Sequence, residues 1–141
     1  MNGLDVFLTE KGDCFHCHSM GLLTDLNFHN NGLDEVYTAV NWGRFQVTSN
    51  PSDIGKFKTP SLRNVELTMP YMHDGRFSTL EEVIEFYNSG VHQTSYADPI
   101  MTKPGKEFGL QLSLQDKQDL LLFLKTFTDT SFINNPAFAH P

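Results

Sequence analysis

Cysteine is scarce in this chain: its 141 residues contain only Cys14 and Cys17, so no further close pair exists to complete a four-coordinate structural zinc site. Positive charge is also short, with ten Lys and Arg against seventeen Asp and Glu, a net charge of −7. That balance argues against nucleic acid or an anionic membrane face as partner and suits a soluble protein that meets basic partners. No run approaches the eighteen or so apolar residues of a membrane span, and Met1-Asn2-Gly3-Leu4 does not read as a signal peptide. Tryptophan occurs once, yet twelve Phe and four Tyr supply ample contact area for a core. The length predicts one domain spanning residues 1–141.

What the chain does have is Asp13-Cys14-Phe15-His16-Cys17-His18. Two cysteines two residues apart with a histidine directly after them form the c-type haem attachment pattern. Each thiol adds across one porphyrin vinyl group while the next imidazole meets the iron. Cys14 and Cys17 would carry the thioether bonds and His18 would be the proximal ligand, leaving the opposite axial position to another residue. A redox dithiol would sit in a strand–helix–strand pattern, which is missing here. Half a zinc site with His18 lacks its remaining ligand, and a disulfide across two residues closes a small, strained ring. A covalent haem would add an apolar plate to the core, so cofactor and folding are expected to be coupled. Such motifs receive haem outside the bacterial cytoplasm, and we expect a periplasmic or otherwise exported protein whose signal is not present in this sequence.

Residues 3–18 predict a short helix with Leu4, Phe7 and Leu8 on one face. Ser19 to Pro60 is rich in Asn, Gly, Ser and Asp and reads as loop, with one weak helical patch at Asp34–Val40. Phe15, Leu22, Leu23, Phe28, Leu33, Trp42, Phe45 and Phe57 are its candidate haem lining or core. Pro60–Val65 suits a single turn opened by proline, and Thr68–Arg76 is irregular. Ser78 is expected to cap a helix over Thr79–Ser89, with Glu81 completing a capping box and Gly90 ending it. Leu80, Val83, Ile84 and Tyr87 share one face of that helix, which points Tyr87 inward. After an irregular segment at 91–112, Ser113 and Asp116 open a last helix running to about Phe127. Its apolar face is Leu114, Lys117, Leu121 and Leu124, or else Leu120, Phe123, Leu124 and Phe127. The tail after Thr128 is expected to wrap the surface. The fold class expected is all-α: a cytochrome c-like haem domain with long irregular loops packed around one covalently bound haem.

Three stretches, Phe57-Lys58-Thr59-Pro60-Ser61-Leu62-Arg63-Asn64-Val65, Pro70-Tyr71-Met72-His73-Asp74-Gly75 and Thr79-Leu80-Glu81-Glu82-Val83, resemble the C-terminal haem domain of bacterial di-haem cytochrome c peroxidases and MauG-type enzymes. The resemblance runs from the haem motif to the final helix. It implies two haem domains, of which the N-terminal one reacts with hydrogen peroxide and the C-terminal one, matched here, carries a six-coordinate haem that passes electrons. Electrons would come from a small redox protein, a cytochrome c or cupredoxin, and reach peroxide only through the second haem domain. Tyr87 matches the position where peroxidases have methionine and MauG-type members have tyrosine as distal ligand. Thr68 and Pro70 match positions whose backbone carbonyls bind calcium between the domains. The single haem motif departs from the full family pattern, and a free-standing mono-haem electron carrier is the alternative.

Several other residues compete for the distal position. Met101 lies in the kind of irregular segment from which small cytochromes supply a sulfur ligand, Met69 and Met72 flank the Pro-Tyr motif, His92 follows the helix stop, and an open iron site is also consistent. A thioether favours ferrous iron and raises the potential, whereas a phenolate favours ferric iron and lowers it. His73 matches a histidine near the haem crevice and would orient a propionate or water, or else bond the loop. Arg63 suits a propionate carboxylate. Glu81, Glu82 and Glu85 form an acidic helix face, either solvated or a docking surface for a basic donor.

Overall fold

A computed structural model describes residues 1–107 and 109–138. Helix α1 (Asn2–Leu8) buries Val6 and Phe7 completely and ends there, because Thr9 turns extended. The helix expected over 3–18 therefore stops early: residues 9–13 are turn, and Cys14–His16 form a separate single 3-10 turn. Leu4 and Leu8 lie exposed on the far side of α1, and Val6 takes the inward position instead. Helix α4 (Leu114–Lys125) opens at the Ser113 and Asp116 capping box read from the sequence. Its buried residues are Asp116, Leu120 and Leu124, with Leu121, Phe123 and Phe127 packed beside them, while Leu114 is exposed.

The two helices close on each other through rings. Phe7 meets Phe123 at 5.3 Å and Phe127 at 5.8 Å, tilted or edge-on, a geometry that aromatic quadrupoles favour. The backbones approach so closely that a Cβ on Gly3 would lie 2.0 Å from the Asp119 carbonyl oxygen. Asn2 donates to Asp116 and Asp119, and Lys11 pairs with Asp116 at 2.7 Å. The Asn2 hydrogen bond, then Lys11 and Ser113, hold the Asp116 carboxyl well below the usual carboxylate range.

Between them the chain is mostly loop. Short helices, including α2 (Phe45–Thr48) and α3 (Leu80–Glu85), interrupt it, α5 (Thr130–Ile133) follows α4, and helix of all kinds, α1 and α4 included, amounts to about 39% of the structure. A small antiparallel sheet pairs β1 (Phe28–His29) with β2 (Phe57–Lys58). This corrects the all-α, cytochrome c-like expectation: segments broken by Asn, Gly and Pro cannot propagate a helix and satisfy their backbone groups across a two-residue ladder instead. Nor does 34–40 form a helix, since the Asn41 carboxamide takes the Thr38 amide at 2.6 Å and folds the segment into a turn.

Helix α3 is capped one residue later than Ser78 and Glu81 suggest. The Thr79 hydroxyl accepts from the Glu82 amide, and the Glu82 carboxylate takes both the Ser78 and Thr79 amides. The helix then widens into a π turn over Phe86–Gly90, which carries Tyr87. The tail after Thr128 lies on the surface as expected through residue 138; its last three residues fall outside the described part, as does position 108 of the 91–112 segment.

Candidate functional site

The haem-motif turn is held from three sides. The Cys14 carbonyl accepts from the His18 amide at 2.9 Å, curling the five residues into the compact loop that a doubly attached porphyrin needs. The Cys14 thiol donates to the Gly12 carbonyl, and both cysteines are free. Burial pushes the Cys14 thiol up to about 12 and Cys17 to about 11, with Asp13 and Asp25 adding to the rise. Thiols kept protonated in this way are poor redox dithiols. On the far side, Lys103 pairs with Glu10 and with Asp13 at 2.7 Å, and Lys106 pairs with Asp13.

His18 is aimed by the backbone. Its Nδ1 lies 3.1 Å from the Leu23 carbonyl oxygen, so Nδ1–H donates there and Nε2 keeps the free lone pair. Burial lowers the imidazole's pKa, against the pull of the Leu23 and Pro60 carbonyls and Asp25, which keeps the ring neutral and able to bind a metal. The loop carrying Leu23 is zipped to the 59–63 segment: Thr24 donates to the Thr59 carbonyl at 2.7 Å, Ser61 to Leu22, Leu62 to Leu23 and Arg63 to Gly21. Arg63 is therefore spent on the Gly21 carbonyl at 2.9 Å and is exposed.

Tyr87 is carried by the π turn. Its hydroxyl accepts from Asn31 Nδ2 at 3.2 Å, and burial pushes the phenol up to about 12, with Cys17 and Cys14 close enough to add to the rise. Asn31 Nδ2 also lies 3.8 Å from Met72 Sδ. Asn31 thus links Tyr87 to Met72, and the Tyr87 phenol lies near enough to Cys14 and Cys17 to feel their charge. This donor set fits haem c: two thiols on one turn, a neutral imidazole with one nitrogen tied down, and a phenol as a further oxygen donor.

The other sequence candidates sit further out or have other partners. His73 stacks flat on Phe57 at 3.8 Å, 10° from parallel, so a ring contact holds it in addition to any loop bond. Met101 ends a 3-10 turn, Pro99–Met101, whose cap is Asp98. His92 is exposed and its amide donates to Gly32. Thr68 and Pro70 are exposed, and Thr68 bonds back to Val65. Among the expected lining residues Leu23 and Leu33 are buried, whereas Leu22 is exposed and Phe28 lies under the Arg44 guanidinium.

Sequence reasoning missed a polar cluster beside the motif. His29 lies between Asp98 at 2.6 Å and Asp25 at 2.7 Å; burial works against its charge, but the two carboxylates prevail and raise its pKa. It also missed Asn30 and Asn31. Their only signal was a His-Asn-Asn-Gly run inside a segment read as plain loop.

No protein-family model matches the chain. The chain is similar to the cytochrome-c peroxidase IdrP1 of Pseudomonas sp. (strain SCT), with 33% identity over 146 residues, 84% of this chain and 37% of that protein. It is similar to the methylamine utilization protein MauG of Methylorubrum extorquens, with 36% identity over 118 residues, 84% of this chain and 31% of that protein. Among solved structures it resembles a MauG-like protein associated with microbial copper homeostasis, with a TM-score of 0.84 and 42% identity over 99% of this chain and 46% of that one. The chain therefore spans less than half the length of each of these relatives.

Proposed function

Because this chain belongs to the family of cytochrome c peroxidases and MauG proteins, di-haem peroxidase-type oxidoreductases, we propose that it is a haem c electron-transfer unit of such an enzyme. Cys14 and Cys17 would hold the porphyrin by thioether bonds, and His18 Nε2 and Tyr87 would supply the protein ligands to its iron. When bound, haem c supplies an iron that takes up and releases one electron at a time. The chain's part is to fix both axial atoms and to set the potential. The Leu23 carbonyl strengthens His18 as a donor, and an anionic oxygen at Tyr87 favours the ferric state. A small redox protein, a cytochrome c or cupredoxin, is the electron source, and a second haem domain of the same enzyme reduces peroxide. Calcium at the Thr68 and Pro70 carbonyls belongs to that two-domain assembly, and the periplasm is where such a haem is attached. No described helix is long and apolar enough to cross a membrane.

The observation that carries this reading is a backbone-tethered His18 directly after the turn bearing both cysteines, with the Tyr87 phenol near enough to those cysteines to feel their charge. Its test is production with a c-type haem maturation system, followed by mass measurement under denaturing conditions and visible spectra of the ferric and reduced protein. A mass gain of one haem and a low-spin ferric spectrum lacking the methionine–iron charge-transfer band are expected. Haem that washes out under denaturing conditions would end the proposal. Added to a separately made peroxide-reducing haem domain, the loaded chain should raise peroxide turnover with a small cytochrome as donor.

A further inference from the structure

The amide of Asn31 touches two of the candidate distal atoms, Tyr87 Oη at 3.2 Å and Met72 Sδ at 3.8 Å. A carboxamide N–H bonds oxygen far better than thioether sulfur, and better still when the oxygen is anionic. Asn31 does not reach this position by chance of loop conformation. Its neighbour Asn30, 1% exposed, is a hub: Nδ2 donates to the Ile54 carbonyl at 3.0 Å, Oδ1 accepts from Gly32 N at 2.9 Å and from the Tyr37 hydroxyl at 2.8 Å, and its carbonyl accepts from the Asp98 amide. Gly32 follows at φ 70°, where a Cβ would come within 2.7 Å of the His92 carbonyl oxygen. Gly55 is equally constrained, since a Cβ there would meet Tyr37 at 2.2 Å and Asn30 Nδ2 at 2.3 Å. A residue presented from so over-determined a platform is held in one geometry.

We propose that Asn31 is the positioning residue of the distal side: its amide holds the Tyr87 oxygen in place and keeps Met72 from taking the iron. The inference rests on Tyr87 being the distal ligand. The geometry divides the labour: α3 and its π turn deliver the phenol, the Asn30 platform delivers the donor, and Met72, at φ 72° in the Pro70–Gly75 loop, is the ligand that Asn31 excludes.

The experiment compares haem-loaded wild type with Asn31→Leu, Asn31→Gln and Tyr87→Phe by ferric visible spectrum and midpoint potential. Asn31→Leu removes the donor at similar size; its potential shifts upward and a methionine–iron charge-transfer band appears. In Asn31→Leu combined with Met72→Leu the band is lost while the potential stays raised. Asn31→Gln, which keeps the amide, returns the spectrum and potential toward wild type. Should Asn31→Leu not fold, Asn31→Ser, which draws the donor out of reach, is read in the same two ways. If Tyr87→Phe alters spectrum and potential while every Asn31 variant matches wild type, the inference is overturned and Tyr87 ligation stands. If Tyr87→Phe itself changes neither, Tyr87 ligation falls and the role of Asn31 falls with it.

Discussion

Replacing Asn30 by alanine tests how firmly this side of the site is built. The side chain makes three hydrogen bonds, to Ile54 O, Gly32 N and the Tyr37 hydroxyl, all between 2.8 and 3.0 Å, in a position 1% exposed. At about 1 kcal/mol net for each bond, the loss sums to about 3 kcal/mol, and stranding the Gly32 amide away from water pushes the figure upward. That is a roughly hundredfold change in the folded-to-unfolded ratio, a large share of the 5–15 kcal/mol typical of a whole domain. Tyr37→Phe removes only one of the three bonds and should cost about 1 kcal/mol. Urea unfolding of the haem-loaded protein, followed by far-ultraviolet circular dichroism, measures both. The reasoning is refuted if Asn30→Ala lies within about 0.5 kcal/mol of wild type, or if Tyr37→Phe costs as much as Asn30→Ala.

Phe7→Ala empties a site with no exposure between Phe123 and Phe127, and should cost about 4 kcal/mol, visible as a drop in thermal midpoint of roughly 10 °C. Glu85, hydrogen-bonded by Lys117 and then Ser89, has its carboxyl lowered from 4.5 to about 2. Its contribution is therefore complete above pH 4.5 and fades as pH falls toward 2, so the stability of Glu85→Gln should decline less steeply over that window than wild type in acid titrations followed by circular dichroism. Changing Cys14 and Cys17 together to alanine should leave any haem extractable into acidified organic solvent, whereas wild type retains it; retention by the double variant would contradict thioether attachment.

The parts of this molecule that were legible in its sequence are those set by local chemistry. Ser113 and Asp116 announce α4 because a capping box needs only neighbours three residues apart. The haem motif is equally local, and its five residues state their own spacing. The α3 cap slipped by one because Ser78-Thr79 and Glu81-Glu82 offer two equivalent registers, and only the fit of the Glu82 carboxylate to both amides chooses between them. The β1–β2 ladder was invisible: two residues on each side give no alternation to detect, and their pairing joins positions about thirty apart. Asn30 and Asn31 were missed for the same reason. Nothing in their neighbours says that one will be buried and satisfied by Ile54 and Tyr37 while the other reaches Tyr87, because those partners are fixed by tertiary contact.

The seam between the first and last long helices has a consequence in time as well as in space. Asn2 and Asp116 are 114 residues apart, and the lysine at 103 that grips Asp13 is 90 residues from it. Contacts of such range form late, since the loops between them must first be closed at an entropic cost that local turns do not bear. A cysteine turn formed before these contacts would lie open to solvent until Lys103, Lys106 and α4 reached their places. Covalent loading of the kind proposed above would then have a kinetic window that shuts when the seam does. A variant that loosens the seam without unfolding the chain should lengthen that window, trading final stability for a more completely loaded population.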